Sequence, residues 1–198
     1  MRTHNYKSEQ FHDMDSLDTL LHGIVKQIKQ NFKDGISLPV STFNRGKSRE
    51  KLAEFIGSIH ENHNTHLSKK TDSKDFPGLY IFAERKDDKL ETAYVGISRM
   101  VIQRLKQHTS YSDKSSATWA YLMAKFPNGE KVPVTDKKDA VQFKDKDALT
   151  AKIKEQQVEM AKKYVVTYYP MDDNFLLHLA EPYVACALSA YWNSFETH

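Results

Sequence analysis

Apolar residues recur at helical spacing near the start of the chain. Leu17, Leu20, Leu21, Ile24, Val25, Ile28 and Phe32 predict a helix over 16–33, with Asp15 or Ser16 as its cap and the Asp34-Gly35 pair as its stop. A second helix is expected over 48–59, with Leu52, Phe55, Ile56 and Ile59 inward, followed by a polar loop or linker over 60–77. The pattern then changes. Residues 79–84 and 91–97 are rich in Tyr, Ile, Phe, Val and Thr, and the "KDDK" between them reads as the turn of a β-hairpin. The stretch "YVGISRMVIQRLKQH" begins as a strand and ends as a helix over 99–108, with Ser98 as cap and Val101, Ile102 and Leu105 as the apolar stripe. Further helices are expected at 116–125, 148–163 and 174–191, with a strand at 164–169 and a charged irregular stretch at 127–147. The chain shows no internal repeat.

The fold class is therefore α+β: a small three-stranded antiparallel sheet flanked by helices. Residues 1–75 form an N-terminal helical extension. Residues 76–198 form the main domain, with a helical insertion at about 111–163.

Charge and cysteine usage narrow the function classes. A formal net charge of +3 permits a nucleic-acid partner without demanding one. A single cysteine, Cys186, excludes an intrachain disulfide and a cysteine-based zinc site, and fits a reducing cytoplasm. In "VACALSA" it is expected to be a small core residue. The opening "MRTHNYKSEQFHDMDS" lacks the apolar run of a signal peptide, and no stretch approaches the roughly 18 apolar residues of a membrane span. The expectation is a cytoplasmic protein with no membrane partner.

Several residues invite chemical readings. Arg45, Lys47, Arg49 and Lys51 make a basic cluster, either a solvated helix entry or a phosphate contact. His60, His63 and His66 recur every three residues, but no carboxylate or cysteine completes a metal pattern, so they read as a solvated helix end. Arg104 and His108, four apart, project from one helix face. Glu181 shares the apolar face of Leu177, Val184, Ala185 and Leu188, where a carboxylate needs a cation or strong hydrogen bonds. A structural salt bridge and a metal-ligand role are equally open to it. Pro182 disfavours helical geometry at that point.

Taken in order, these residues resemble a GIY-YIG nuclease domain over about 76–198. "GLY" at 78–80 and "YVG" at 94–96 resemble the two name-giving tripeptides, each with its middle residue replaced by another aliphatic. Arg104 and His108 stand where that family's first helix carries an arginine and often a histidine. Glu181 resembles its metal-binding glutamate, and Asn193 in "YWNSF" the asparagine that often follows about a dozen residues later.

The resemblance implies a metal-dependent DNA endonuclease, restriction-like or structure-selective, leaving 5′-phosphate and 3′-hydroxyl ends. It implies that Glu181 holds Mg²⁺, with Mn²⁺ an acceptable substitute. Arg104 would bind phosphate. Tyr80 would help deprotonate the attacking water, which for a phenol of pKa about 10 requires a cationic neighbourhood or a relay. Tyr94 and His108 would orient water or phosphate or shuttle a proton, and Asn193 would tie the chain end close to the site. DNA is the expected partner, RNA a weaker one, and the chain a monomer or homodimer. The alternative is a catalytically idle nucleic-acid-binding protein that keeps the nuclease fold.

Overall fold

The computed structural model describes residues 14–44, 54–55, 75–86, 89–112, 116–126 and 144–193. Four strands form one sheet in the order β1-β4-β2-β3. They are β1 (Leu38–Pro39), β2 (Gly78–Lys86), β3 (Lys89–Ser98) and β4 (Tyr164–Pro170), and every pairing is antiparallel. The helices are α1 (Met14–Lys33), α2 (Val101–Ser110), α3 (Thr118–Lys125), α4 (Lys146–Lys163) and α5 (Asn174–Ala187).

The α+β class holds, but the sheet has four strands where three were expected. The extra strand, β1, is two residues long and contains Pro39. Two residues cannot show a period-2 pattern, and a proline is tolerated there because β1 lies at the sheet edge. α1 and β1 pack into the same body as the main sheet. Asn31, buried on α1, donates from Nδ2 to the Tyr168 carbonyl of β4 at 3.1 Å, and the Thr167 hydroxyl donates to the Ile36 carbonyl at 2.7 Å.

Both faces of the sheet are covered. Leu79, Ile81 and Val95 meet Ile24 and Ile28 of α1 and Leu177, Ala180 and Val184 of α5. Tyr80, Phe82 and Val166 meet Leu105 of α2, Trp119 of α3 and Ile153 and Met160 of α4. This second layer is aromatic: Trp119, with no exposed surface, stacks on Tyr94 at 5.7 Å between centroids and 13° between planes, and meets Phe82 and Tyr164.

Local starts and stops correct three expectations. α2 is not capped by Ser98, whose hydroxyl accepts from Met100 N–H at 2.9 Å, before the helix begins. Its N-terminus is held from 27 residues upstream. Asp75 Oδ1 accepts from Ile102 N–H and Oδ2 from Gln103 N–H, each at 2.8 Å, which satisfies two of the orphan donors of the first turn. α1 is already helical at Met14, the first described residue, so Asp15 and Ser16 sit inside the helix and not at its cap. α5 stops at Ala187 instead of reaching 191. Ser189 adopts a left-handed φ of 54°, and Ala190 N–H bonds back to the Ala185 carbonyl at 2.9 Å, closing the helix and returning the chain to the sheet edge.

Cys186 is exposed and not a core residue. It falls between the buried positions Val184 and Ala185 and the next inward turn, on the outer side of α5. Most of the expected helix over 48–59, the histidines at 60, 63 and 66, and the basic residues Arg45, Lys47 and Arg49 lie outside the described residues. Among the described residues no helix is long and apolar enough to cross a membrane.

Candidate active site

Tyr80 lies on β2, the strand flanked by β4 and β3, directly opposite Gly96. A Cβ at residue 96 would collide with the Tyr80 ring at Cζ, Oη and Cε2, so this glycine is what lets the phenol lie flat across β3. Gly78 is small for a different reason: a Cβ there would strike the Tyr169 carbonyl of β4. Phe82 pairs with Tyr94 and Ala83 with Thr92, so the ladder slips by one residue at Ala93. Tyr94 lies before that slip, two residues from Gly96 in regular register, and so shares the face of Tyr80, with ring centroids 6.3 Å apart.

α2 supplies the next two groups. His108 occupies a position on its apolar stripe, after Val101 and Leu105, and has no exposed surface. Its Nε2 lies 3.0 Å from the Tyr80 hydroxyl, and its ring faces Tyr80, Phe82 and Tyr94 at 5.5, 5.8 and 5.9 Å. Burial first and Arg104 second lower the His108 pKa to about 3, so the imidazole is neutral. Nδ1 has no hydrogen-bond partner among the described residues.

Arg104 stands one turn earlier. Its Nη1 donates to Gln107 Oε1 at 3.2 Å and to the Ser116 carbonyl at 3.1 Å, and its Nη2 to Thr118 Oγ1 at 3.1 Å. The guanidinium is thus aimed by the start of α3. Burial raises the Tyr80 pKa, and the neighbouring Arg104 charge and the Tyr94 hydroxyl act against that rise. The Tyr80 hydroxyl and His108 Nε2 share one buried hydrogen bond, along which a single proton can lie on either side according to the imidazole tautomer.

Glu181 comes from α5, in the opposite layer, and is half-buried. α5 runs through Pro182 unbroken, although the ring removes the bond to the His178 carbonyl. Burial raises the Glu181 pKa, and no ion pair to Glu181 occurs among the described residues. Its charge nonetheless reaches both phenols, pushing Tyr80 and Tyr94 up. Burial is the larger cause for each, and Arg104 opposes it. The structure therefore brings Tyr80, Tyr94, Arg104 and His108 together on one face of the sheet from β2, β3 and α2, while Glu181 stands on α5 in the other layer, near enough for its charge to bear on both phenols.

Asn193 is placed differently. Its Oδ1 accepts from Val95 N–H at 2.8 Å and its Nδ2 donates to the Val95 carbonyl at 2.7 Å, while Trp192 N–H bonds the Ala93 carbonyl at 2.9 Å. Asn193 thus clamps Val95 and Trp192 holds Ala93, so the two together fix the backbone on either side of Tyr94.

The sequence reading did not single out three supports of this site. Gln157 of α4, buried, donates from Nε2 to the His108 carbonyl at 2.8 Å and also to that of Tyr111. Its signal was a polar residue on the stripe of Ile153 and Met160. Asp75 and Thr118 left no such mark, because each acts on an element remote from or at the start of its own.

Among the described residues no group of three or more His, Cys, Asp and Glu side chains could hold a metal. One carboxylate can serve a hydrated Mg²⁺, and a half-buried Glu181 without an ion-pair partner fits that donor set. No family model, curated protein or solved structure matches the chain.

Proposed function

We propose that the chain is a metal-dependent DNA endonuclease of the GIY-YIG type. The observation that carries the reading is the cluster of two phenols, a neutral imidazole and an arginine on one face of the sheet, together with a half-buried carboxylate about 100 residues away in the chain, without an ion pair among the described residues, whose charge reaches both phenols.

Hydrolysis needs a deprotonated water, stabilised phosphoryl oxygens and a departing 3′-oxygen. Arg104, aimed by Gln107, Ser116 and Thr118, presents a cation to the phosphate. Tyr80 takes the water proton at Oη as its own proton passes along the 3.0 Å bond to His108 Nε2. The water oxygen bonds to phosphorus, the P–O3′ bond breaks, and the 3′-oxygen acquires a proton from solvent. A phosphate on Arg104 also cancels the part of the His108 depression that Arg104 causes, which makes Nε2 a better acceptor when substrate is present. A divalent ion bound to Glu181 would neutralise the phosphoryl and leaving-group charge.

The test is cleavage of supercoiled plasmid by wild type and Glu181→Ala in Mg²⁺, Mn²⁺ or EDTA. Nicking or linearisation that needs metal and disappears in the variant is expected. A chain that binds DNA and never cuts it, with Glu181→Ala indistinguishable, would instead identify an idle nuclease fold.

A further inference from the structure

A second feature lies away from the catalytic groups. α1, the β2–β3 hairpin and the turn after α5 enclose a cleft of about 810 Å³. Lys29 and Lys33, one turn apart on α1, form one wall, and Arg85 and Glu91 rise from the hairpin. Glu91 is already held by Lys86 at 2.6 Å. Among the described residues Lys29, Lys33 and Arg85 have no ion-pair partner, unlike the lysines of α4, where Lys152, Lys162 and Lys163 pair with Glu155 or Glu159. Lys26 extends the same exposed face of α1, being three residues before Lys29 and seven before Lys33. The ends of α1 and α5 bring about half a negative charge each, which three full positive charges outweigh.

We propose that this cleft binds the phosphodiester backbone of the nucleic acid, as a contact separate from the scissile phosphate. The inference rests on the nuclease reading. α5 connects the two places: Glu181 and Leu188 are seven residues apart, about 10 Å of helical rise. A strand running along α5 would cover that rise in about three nucleotides at 3.4 Å each. The cleft then fixes the direction in which the strand leaves the catalytic groups.

The experiment measures duplex DNA affinity of the full chain in EDTA, where metal-dependent hydrolysis is off, as a function of salt. The variants are Lys29→Gln/Lys33→Gln/Arg85→Gln and, with equal loss of charge, Lys152→Gln/Lys162→Gln/Lys163→Gln. Each lost phosphate contact lowers the slope of log affinity against log salt by about 0.9. The cleft variant should lose about 2 to 3 in slope and the α4 variant should keep the wild-type slope. Equal slopes in all three proteins, or equal losses in both variants, would overturn the cleft while leaving the nuclease reading standing. No salt-dependent affinity for DNA in wild type would overturn both. A cleft that answers only to inorganic phosphate, read as a shift of the Arg85 side-chain resonance while the DNA slope is unchanged, is a small-anion site and refutes the backbone assignment.

Discussion

The Tyr80 ring lies across the Cα of Gly96, its direct partner in the β2–β3 ladder. Any side chain at 96 must displace the phenol that His108 and Arg104 hold. Gly96→Ala is therefore expected to cut plasmid nicking at least a hundredfold, a loss of about 2.7 kcal/mol or more in transition-state binding. Overpacking should also lower stability by about 1–3 kcal/mol. Urea unfolding beside the nicking rate separates the two effects, and full activity in the variant would remove Tyr80 from the chemistry.

His108 makes stability depend on acid. It titrates at about 3 in the folded chain, against 6.5 ordinarily. Between those values the unfolded chain holds a proton that the folded chain does not, so stability is fully present above 6.5 and falls as pH drops toward 3. From pH 7.5 to 5.5 this one group should cost about 1.4 kcal/mol. His108→Gln is less stable at pH 7.5, and its disadvantage should shrink by about that amount at pH 5.5. A gap that stays constant between the two pH values would mean that His108 takes up its proton equally in the folded and unfolded chains, with no depression by burial.

Asp75 fastens the start of α2 and with it the placement of Arg104 and His108. Asp75→Ala exposes two helix N–H groups that it satisfied. The expected cost is about 1–2 kcal/mol, a fall of roughly 2–8 °C in Tm for a chain of this size. Ser98→Ala, removing the cap suggested by the sequence, should cost less than half as much. The reverse ranking in thermal melts would restore Ser98 as the cap.

Gln157 gives α4 a stake in the site. Gln157→Leu keeps most of the volume and leaves the carbonyls of His108 and Tyr111 without this buried donor. A loss of about 1–3 kcal/mol is expected. The His108 imidazole resonances should shift as well, since the last turn of α2 is no longer pinned. Unmoved resonances would confine Gln157 to holding α4 in place.

Most elements were legible because their faces are amphipathic. The α1 and α2 stripes match their buried residues, the hairpin shows as two β-rich runs around a polar turn, with β2 buried along its first six residues, and the bounds of these elements and of α4 shift by only a few residues. The pattern was silent on β1, too short to have a period, and misleading at the end of α5, where Ser189 turns out of the helix despite the apolar residues beyond it. Glu181 on its apolar face and His108 four residues after Arg104 were the readable trace of the candidate site, whereas Gln157, a polar residue beside Ile153 and Met160, was passed over. Asp75 was not readable, because a cap from a distant loop leaves no spacing in the sequence.

The Asn193 clamp has a consequence for solubility. β3 is the outer strand of the sheet, and an outer strand with unpaired backbone groups is a template for a neighbouring molecule. At Val95 one side-chain amide does what a peptide group of a further strand would do, beside a single backbone bond from Trp192 to Ala93, and the pairing runs no further along β3 from there among the described residues. Asn193 is in this sense a terminator of strand addition. Asn193→Leu would reopen the edge at Val95 and should appear first as concentration-dependent self-association, before any change in the catalytic groups is detectable.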